Sequence, residues 1–193
     1  MIIRKLFKFE NAHIVRACST VKCRSSIHGH SYRVELLFES NFLDNGQMVY
    51  DFGLMKQNMK SLIESFDHSI AIWSGDTKEY KDDMKKHSKR WVELPVSPSC
   101  EQFSRVIFVI IDRLLQLTSS VNGEKDVRLN SIIVHETQTG YAQAFNQDAY
   151  SKEMGYIQLE DIIFSDEVRG DWADAKLWER IKKGERFINP KEV

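Results

Sequence analysis

The sequence has little excess charge, few cysteines and no long apolar run. Lysine and arginine total 27 residues against 28 aspartates and glutamates, so no net field draws the chain toward nucleic acid or an anionic membrane. The three cysteines, at positions 18, 23 and 100, are an odd and sparse set, unlike the disulfide framework of a secreted domain. We therefore expect a small molecule as the partner.

Other signals are also missing. No stretch of about 18 apolar residues is present, and the opening residues MIIRKLFKFE lack the apolar segment of a signal peptide. Nothing resembles the G-x-G-x-x-G fingerprint of dinucleotide-binding domains, and we find no internal repeat. A chain of 193 residues with 42% hydrophobic content can bury its own core. These observations predict a globular, cytoplasmic protein.

The N-terminal part predicts two paired strands. The segment from Ile2 to Glu10 is typical of a strand, and a second strand is indicated by apolar residues that alternate with polar ones at Tyr32, Val34, Leu36 and Phe38. The connection from Asn11 to His30 has no clear periodicity. A loop of about twenty residues in a compact domain is usually functional.

Two helices and a third strand are expected further on. An apolar stripe beginning near Gly53 predicts the first helix, and Pro98, Ser99 and Gln102 match a capping box at the start of the second. Residues 129–136 predict a buried strand, which gives the order β-β-α-α-β. The charged residues from Lys78 to Arg90 predict a solvated excursion, and the tail beyond about Tyr150 mixes charges with tryptophans.

Three histidines are the main candidates for chemistry. His28 and His30 share the parity of the buried positions of the second strand, and His13 lies near the end of the first strand. Three neutral imidazoles suit Zn²⁺ and leave an open position for catalysis. The spacing leaves two alternatives open: histidines that only satisfy local hydrogen bonds, or a closed structural zinc site that includes Cys18 and Cys23.

A series of motifs resembles one known family. In order, they are F-x-x-A-H at 9–13, Cys23, H-G-H at 28–30, M-V-Y-D-F-G at 48–53, F-D-H at 66–68, P-S-C-E at 98–101 and V-H-E-T at 134–137. The ordered set resembles the 6-pyruvoyl and 6-carboxytetrahydropterin synthase family over roughly residues 1–150. Several matches in order are more specific than any single motif.

The resemblance implies an α+β tunnelling fold, in which an antiparallel β-sheet with two helices on one face oligomerises into a β-barrel. It also implies a homohexamer with active sites between subunits. We expect the synthase domain to span residues 1–150, with a charged insertion at about 74–95, and residues 151–193 to form a C-terminal extension of unknown role.

The same resemblance implies a role for each site residue. His13, His28 and His30 would hold Zn²⁺, Cys23 would abstract a proton, Asp67 and His68 would form a proton relay from a neighbouring subunit, and Glu136 would anchor the pterin. The loop spacing leaves Cys18 as a rival to Cys23. Cys100 is expected to be a small packed residue.

The activity implied is that of a zinc-dependent lyase, a 6-carboxy-5,6,7,8-tetrahydropterin synthase of queuosine (7-deazaguanine) biosynthesis. Its substrate would be 7,8-dihydroneopterin triphosphate, and its products 6-carboxytetrahydropterin, acetaldehyde and triphosphate. Three alternatives are a 6-pyruvoyltetrahydropterin synthase, a non-catalytic module that binds zinc or pterin, and a zinc hydrolase, since three histidines can also activate water.

Overall fold

A seven-stranded sheet forms the centre of the computed structural model, which describes residues 1–193. The strand order is β7-β6-β2-β1-β3-β4-β8. Its strands are β1 (Ile2–His13), β2 (His28–Glu39), β3 (Ser69–Trp73), β4 (Trp91–Leu94), β6 (Arg128–His135), β7 (Tyr141–Phe145) and β8 (Ile163–Phe164). A small second sheet pairs β5 (Thr118–Ser119) with β9 (Phe187–Ile188).

Seven α-helices accompany the sheets. They are α1 (Val21–Ser25), α2 (Asn58–Glu64), α3 (Lys78–His87), α4 (Cys100–Leu117), α5 (Asn146–Ala149), α6 (Asp166–Gly170) and α7 (Leu177–Lys183). Short 3₁₀ turns occupy Leu54–Lys56 and Leu159–Asp161. None of these helices combines the length and the apolar character needed to cross a membrane.

The predicted pair of N-terminal strands is confirmed, and both strands are longer than expected. β1 and β2 pair antiparallel along their whole length, so that His13 lies directly opposite His28. The inward face of β1 carries Phe7 and Phe9, and that of β2 carries Val34 and Leu36. Only the segment between His13 and His28 is a loop, which contains the short helix α1.

Helix α4 covers the inner face of this sheet and packs against β6 and β7. It is the second predicted helix, and Ser99 is its N-cap, because the Ser99 hydroxyl accepts a hydrogen bond from the backbone N–H of Gln102 over 3.4 Å. The reciprocal half of the expected capping box is absent, since the Gln102 side chain donates instead to the carbonyl of Met154.

Three predicted features need correction. The first helix is divided at Gln57 into a 3₁₀ turn and α2. The predicted excursion from Lys78 to Arg90 is mostly α3, a helix with no buried residue. It connects β3 to β4, two buried strands that pair parallel with each other, and β3 pairs parallel with β1. The third correction concerns the sheet, which was expected to be antiparallel. It is mostly antiparallel, but two of its strand pairs are parallel.

The C-terminal residues belong to the same core as the rest of the chain. β8 adds to the edge of the main sheet by pairing antiparallel with β4. Phe164 of β8 contacts the rings of Trp172 and Trp178 at centroid distances of 5.3 and 5.0 Å, and all three side chains are buried. The residues from 151 onward thus extend the main sheet and pack into its core. The division of the chain at residue 150 stays a prediction.

Candidate metal centre and active site

The three histidines meet at one point, at the end of the β1–β2 pair. One ring nitrogen of each residue lies within 4.8 Å of those of the other two. The strand register explains this, because His13 pairs with His28, while His30 follows two residues later on the same face of β2. The sequence-based prediction that these imidazoles point to the same side is confirmed.

Backbone carbonyls fix the orientation of two of the rings. Nδ1 of His13 lies 2.6 Å from the carbonyl oxygen of Pro98, and Nδ1 of His28 lies 3.0 Å from that of Ser26. With Nδ1–H donating to a carbonyl, each ring presents an unprotonated Nε2, which is the form that ligates a metal. Neither carbonyl was identified from the sequence, because nothing in the chain's local pattern brings Pro98 next to His13.

The cluster fits a metal ion. Nε2 of His13 is completely buried and has no hydrogen-bond partner in the protein, which is an unfavourable state for a polar atom unless something else occupies the site. Burial lowers the pKa of His13, and the hydrogen bond to the Pro98 carbonyl opposes this shift only in part. The neutral ring that results is the ligand form, and a set of three imidazoles is typical of catalytic zinc sites.

Glu136 lies beside the histidines, immediately after β6. Its Oε1 is 3.9 Å from Nε2 of His13 and 3.8 Å from Nε2 of His30, and it accepts a hydrogen bond of 3.2 Å from the hydroxyl of Tyr32. The carboxylate is partly exposed, so a ligand can reach it. Sequence reasoning placed Tyr32 on the inner face of β2 but did not connect it with Glu136.

Asp67 and His68 form an adjacent pair at the turn between α2 and β3. Nδ1 of His68 lies 2.8 Å from Oδ2 of Asp67, and the His68 ring is mostly exposed. A cleft of about 490 Å³ is lined by His68 and His30 of the same chain, together with Gly29 and Glu10. The supply of this pair from a neighbouring subunit, which the resemblance implied, stays a prediction.

The two candidate cysteines both lie in the loop between β1 and β2. Cys23 is on α1, and its backbone carbonyl accepts a hydrogen bond from the N–H of Val15 over 3.2 Å. Cys18 precedes α1, and its thiol donates to the carbonyl of Thr20 within the same turn. Both residues are partly buried. The choice of Cys23 over Cys18 as the residue that abstracts a proton stays a prediction.

Cys100 is a packed residue. Its thiol lies under the sheet and donates to the carbonyl of Val134 over 3.1 Å. Burial, with a smaller contribution from the nearby Glu136 carboxylate, raises the pKa of Cys100 to about 12. Such a thiol remains protonated near neutral pH and is a poor nucleophile or base.

Gly29 lies between the two β2 histidines and opposite Ala12. A Cβ atom at this position would lie 3.0 Å from the backbone carbonyl oxygen of Asn11, closer than side chains normally approach. The group that approaches the glycine closely is the neighbouring strand itself. The glycine therefore keeps β1 and β2 in the register that assembles the histidines.

The chain is thus an α+β domain with one long helix covering a mixed sheet and a candidate metal centre of three imidazoles. The model of the 6-pyruvoyl tetrahydropterin synthase family matches residues 2–147. Since this covers most of the chain, the protein belongs to that family, and the resemblance drawn from its motifs is confirmed.

Curated relatives support the assignment. A 6-carboxy-5,6,7,8-tetrahydropterin synthase of Helicobacter pylori strain J99 is 35% identical over 187 residues, covering 96% of this chain and 94% of the relative. A protein of the same name from Aquifex aeolicus is 30% identical over 158 residues, covering 73% of this chain and 95% of its own length.

Solved structures confirm the fold. An uncharacterised protein from Wolinella succinogenes aligns with a TM-score of 0.58 at 19% identity, over 76% of this chain and 98% of its own. The 6-pyruvoyl tetrahydropterin synthase of Caenorhabditis elegans aligns with a TM-score of 0.53 at 16% identity, over 76% of this chain and 95% of its own. The predicted tunnelling fold is therefore confirmed for the single chain, while its assembly into a barrel stays a prediction.

Proposed function

We propose that this protein is a zinc-dependent 6-carboxy-5,6,7,8-tetrahydropterin synthase acting in queuosine (7-deazaguanine) biosynthesis. It would convert 7,8-dihydroneopterin triphosphate to 6-carboxytetrahydropterin, acetaldehyde and triphosphate, with uptake of water. The observation that carries the proposal is the convergence of His13, His28 and His30 beside the Glu136 carboxylate. The names of the relatives from H. pylori and A. aeolicus support the choice of product.

The three histidines would hold Zn²⁺, and the carbonyls of Pro98 and Ser26 would fix the rings of His13 and His28 through their Nδ1 atoms. When bound, the ion would supply Lewis acidity that stabilises negative charge on the oxygens of the substrate side chain. Three protein ligands leave room for such an oxygen, as catalytic sites require.

Glu136 would bind the pterin ring. A carboxylate can accept two hydrogen bonds from the ring N–H and the exocyclic amine of a pterin, which fixes both position and orientation. The Tyr32 hydroxyl bonds only Oε1, so the carboxylate keeps acceptor capacity for the substrate. Its distance of less than 4 Å from two histidines would place the ring next to the metal centre.

Proton transfer would be divided between Cys23 and the Asp67–His68 pair. A thiolate near a cation is a suitable base for a C–H bond that the neighbouring oxygen has acidified. Asp67 bonds Nδ1 of His68, which leaves Nε2 of the exposed ring to give or take a proton. We propose that Cys23 acts rather than Cys18, whose thiol is engaged with its own turn.

The test is mass spectrometry of the products formed by zinc-loaded protein from 7,8-dihydroneopterin triphosphate under reducing, anaerobic conditions. We expect 6-carboxytetrahydropterin together with acetaldehyde. A 6-pyruvoyl product would show a 6-pyruvoyltetrahydropterin synthase instead. Absence of conversion by protein of verified zinc content would indicate a binding module, and hydrolysis of simple esters without pterin conversion would indicate a zinc hydrolase.

A further inference from the structure

The dipeptide Asp67-His68 is held on one side by β1. The backbone N–H of Glu10 donates to Oδ1 of Asp67 over 2.7 Å, and the N–H of His68 donates to the carbonyl of Glu10 over 2.8 Å. His68 adopts a φ of 50°. This left-handed conformation is uncommon for a residue other than glycine and persists only where the surroundings hold it.

On the opposite side the dipeptide is bound by Arg90. Nε of Arg90 donates to the backbone carbonyl of Asp67 over 3.1 Å, and the same guanidinium forms an ion pair with Asp171. Asp171 is the C-cap residue that directly follows α6, within the C-terminal extension. The planar fork of arginine lets one side chain bond both groups at fixed angles.

Further contacts from the extension hold the segments on either side of this arginine. The N–H of Ser165 donates to the carbonyl of Trp91 over 3.0 Å, and the indole N–H of Trp172 donates to the hydroxyl of Ser65 over 2.9 Å. Ser65 comes two residues before Asp67, and Trp91 follows Arg90 directly. The extension therefore contacts both the turn that carries the dipeptide and β4, the strand that begins directly after Arg90.

A second cleft, of about 380 Å³, lies where these elements meet. Its wall includes Asp67, His68, Arg90, Asp171 and Trp172. Two of these residues come from the C-terminal extension, which is beyond the residues matched by the family model. The alignment with the H. pylori relative covers 96% of the chain and so runs through most of the extension.

We propose that the C-terminal extension acts as a clamp that fixes the Asp67-His68 dipeptide through Asp171 and Arg90. In this role Asp171 and Arg90 are positioning residues. The consequence for catalysis rests on the proposed function, in which His68 transfers a proton. Because proton transfer depends on the geometry of donor and acceptor, a small displacement of His68 lowers the turnover rate more than it affects substrate binding.

The experiment compares Asp171→Asn with Glu185→Gln in the full, zinc-loaded chain. Both variants replace a carboxylate that is paired with an arginine by a carboxamide, but the Glu185 partner is Arg180, and neither residue lines the second cleft. Asp171 is largely exposed, so its loss should leave the fold intact.

Two readouts follow for each variant. Hydrogen–deuterium exchange of a peptide spanning residues 65–70 should become about threefold or more faster in Asp171→Asn and remain unchanged in Glu185→Gln. The kcat should fall about tenfold, with KM within about twofold of wild type. Asp171→Glu, which restores a carboxylate, should recover most of the activity, while Arg90→Lys should not, because a lysine cannot reproduce the fork.

If hydrogen–deuterium exchange of residues 65–70 is unchanged in Asp171→Asn, or rises equally in Glu185→Gln, the proposal that the extension fixes the dipeptide is wrong. A wild-type protein that is inactive while exchange still responds to Asp171→Asn would overturn the proposed function and leave the clamp standing. Faster exchange without any fall in kcat would show that the clamp does not position a residue used in the reaction, and so would overturn its catalytic part.

Discussion

The hydroxyl of Tyr32 donates a hydrogen bond of 3.2 Å to Oε1 of Glu136, which joins the buried face of β2 to the carboxylate that follows β6. Tyr32 is almost fully buried, and burial raises the pKa of its phenol, with the Glu136 carboxylate raising it further. The hydroxyl therefore stays protonated and acts as a permanent donor. This bond orients Glu136 toward His13 and His30.

Tyr32→Phe tests this orientation. The variant keeps the buried ring but removes the donor. We expect KM for the pterin substrate to rise about tenfold, because a hydrogen bond to a charged group is lost. The amount of bound zinc should be unchanged. Tyr50→Phe is the matched control, because Tyr50 is also buried and its hydroxyl bonds Asn189 away from the site. A Tyr32 variant with unaltered KM would show that the carboxylate needs no such support.

The second prediction concerns removal of the proposed metal ligands. His13→Ala, His28→Ala and His30→Ala should each reduce the zinc retained after dialysis from about one equivalent per chain to a small fraction, since three ligands are the minimum for a catalytic zinc site. Metal analysis by mass spectrometry measures this directly. His87→Ala, on the exposed surface of α3, should retain full zinc. Retention in all four variants would contradict the assignment.

The metal-free protein should lose stability in acid because of His13. Its pKa in the folded state is lowered by burial, so between that value and the ordinary value of 6.5 the unfolded chain binds more protons than the folded one. The contribution of His13 to stability is therefore present above pH 6.5 and is lost as the pH falls below it.

Thermal melts of chelator-treated protein between about pH 7.5 and pH 5.5 measure this effect. The melting temperature of the wild type should fall over this range, and His13→Gln should show a weaker dependence on pH. His87→Gln, which changes an exposed histidine, should follow the wild type. Identical slopes for His13→Gln and wild type would show that another group dominates the acid response.

Much of the site could be predicted because it depends on local strand periodicity. His28 and His30 share a face with Tyr32 and Val34, and that parity follows from the chain alone. The strand ends were less predictable. β1 extends to His13 and β2 begins at His28, because the backbone pairing continues through residues whose side chains do not alternate in polarity.

The contacts that depend on distant parts of the chain could not be predicted. β3 and β4 are short and lie inside the sheet, where strands lack the alternation that marks a half-exposed strand. Helix α3 has only two apolar residues, Tyr80 and Met84, among its charged ones and buries no residue fully, so it resembles a loop in sequence. Because β3 and β4 were not predicted, the contact between Arg90 and Asp67 could not be predicted either. For the same reason, the sequence did not show that His68 and His30 line one cleft.

The choice between the two loop cysteines is the fourth prediction. Cys23→Ala should lower kcat at least about 100-fold, as loss of a general base does, while Cys18→Ala should stay within about threefold of wild type. Both variants should bind zinc normally, which separates a role in proton transfer from a role as ligand. Loss of turnover with Cys18→Ala alone would reverse the assignment, and full activity of the double variant would remove cysteine from the mechanism.

Arg105 is a buried arginine within the apolar face of α4, and its role could not be predicted from the sequence. Its guanidinium donates to the backbone carbonyls of Asp148, Ala149, Ser151, Met154 and Gly155, with bonds of 2.5 to 3.4 Å. It thereby holds residues 148–155 against α4. A single side chain satisfies five buried or half-buried carbonyl groups.

Arg105→Met should therefore lower the free energy of unfolding by about 3 kcal/mol, because the methionine fills part of the volume but leaves these carbonyls without donors. Arg113→Met on the same helix is the control, since Arg113 forms none of these bonds. Denaturant unfolding followed by circular dichroism measures the difference. Equal stability of Arg105→Met and Arg113→Met would mean that water replaces the guanidinium, and that the extension is held by the packing of Trp172 and Trp178 instead.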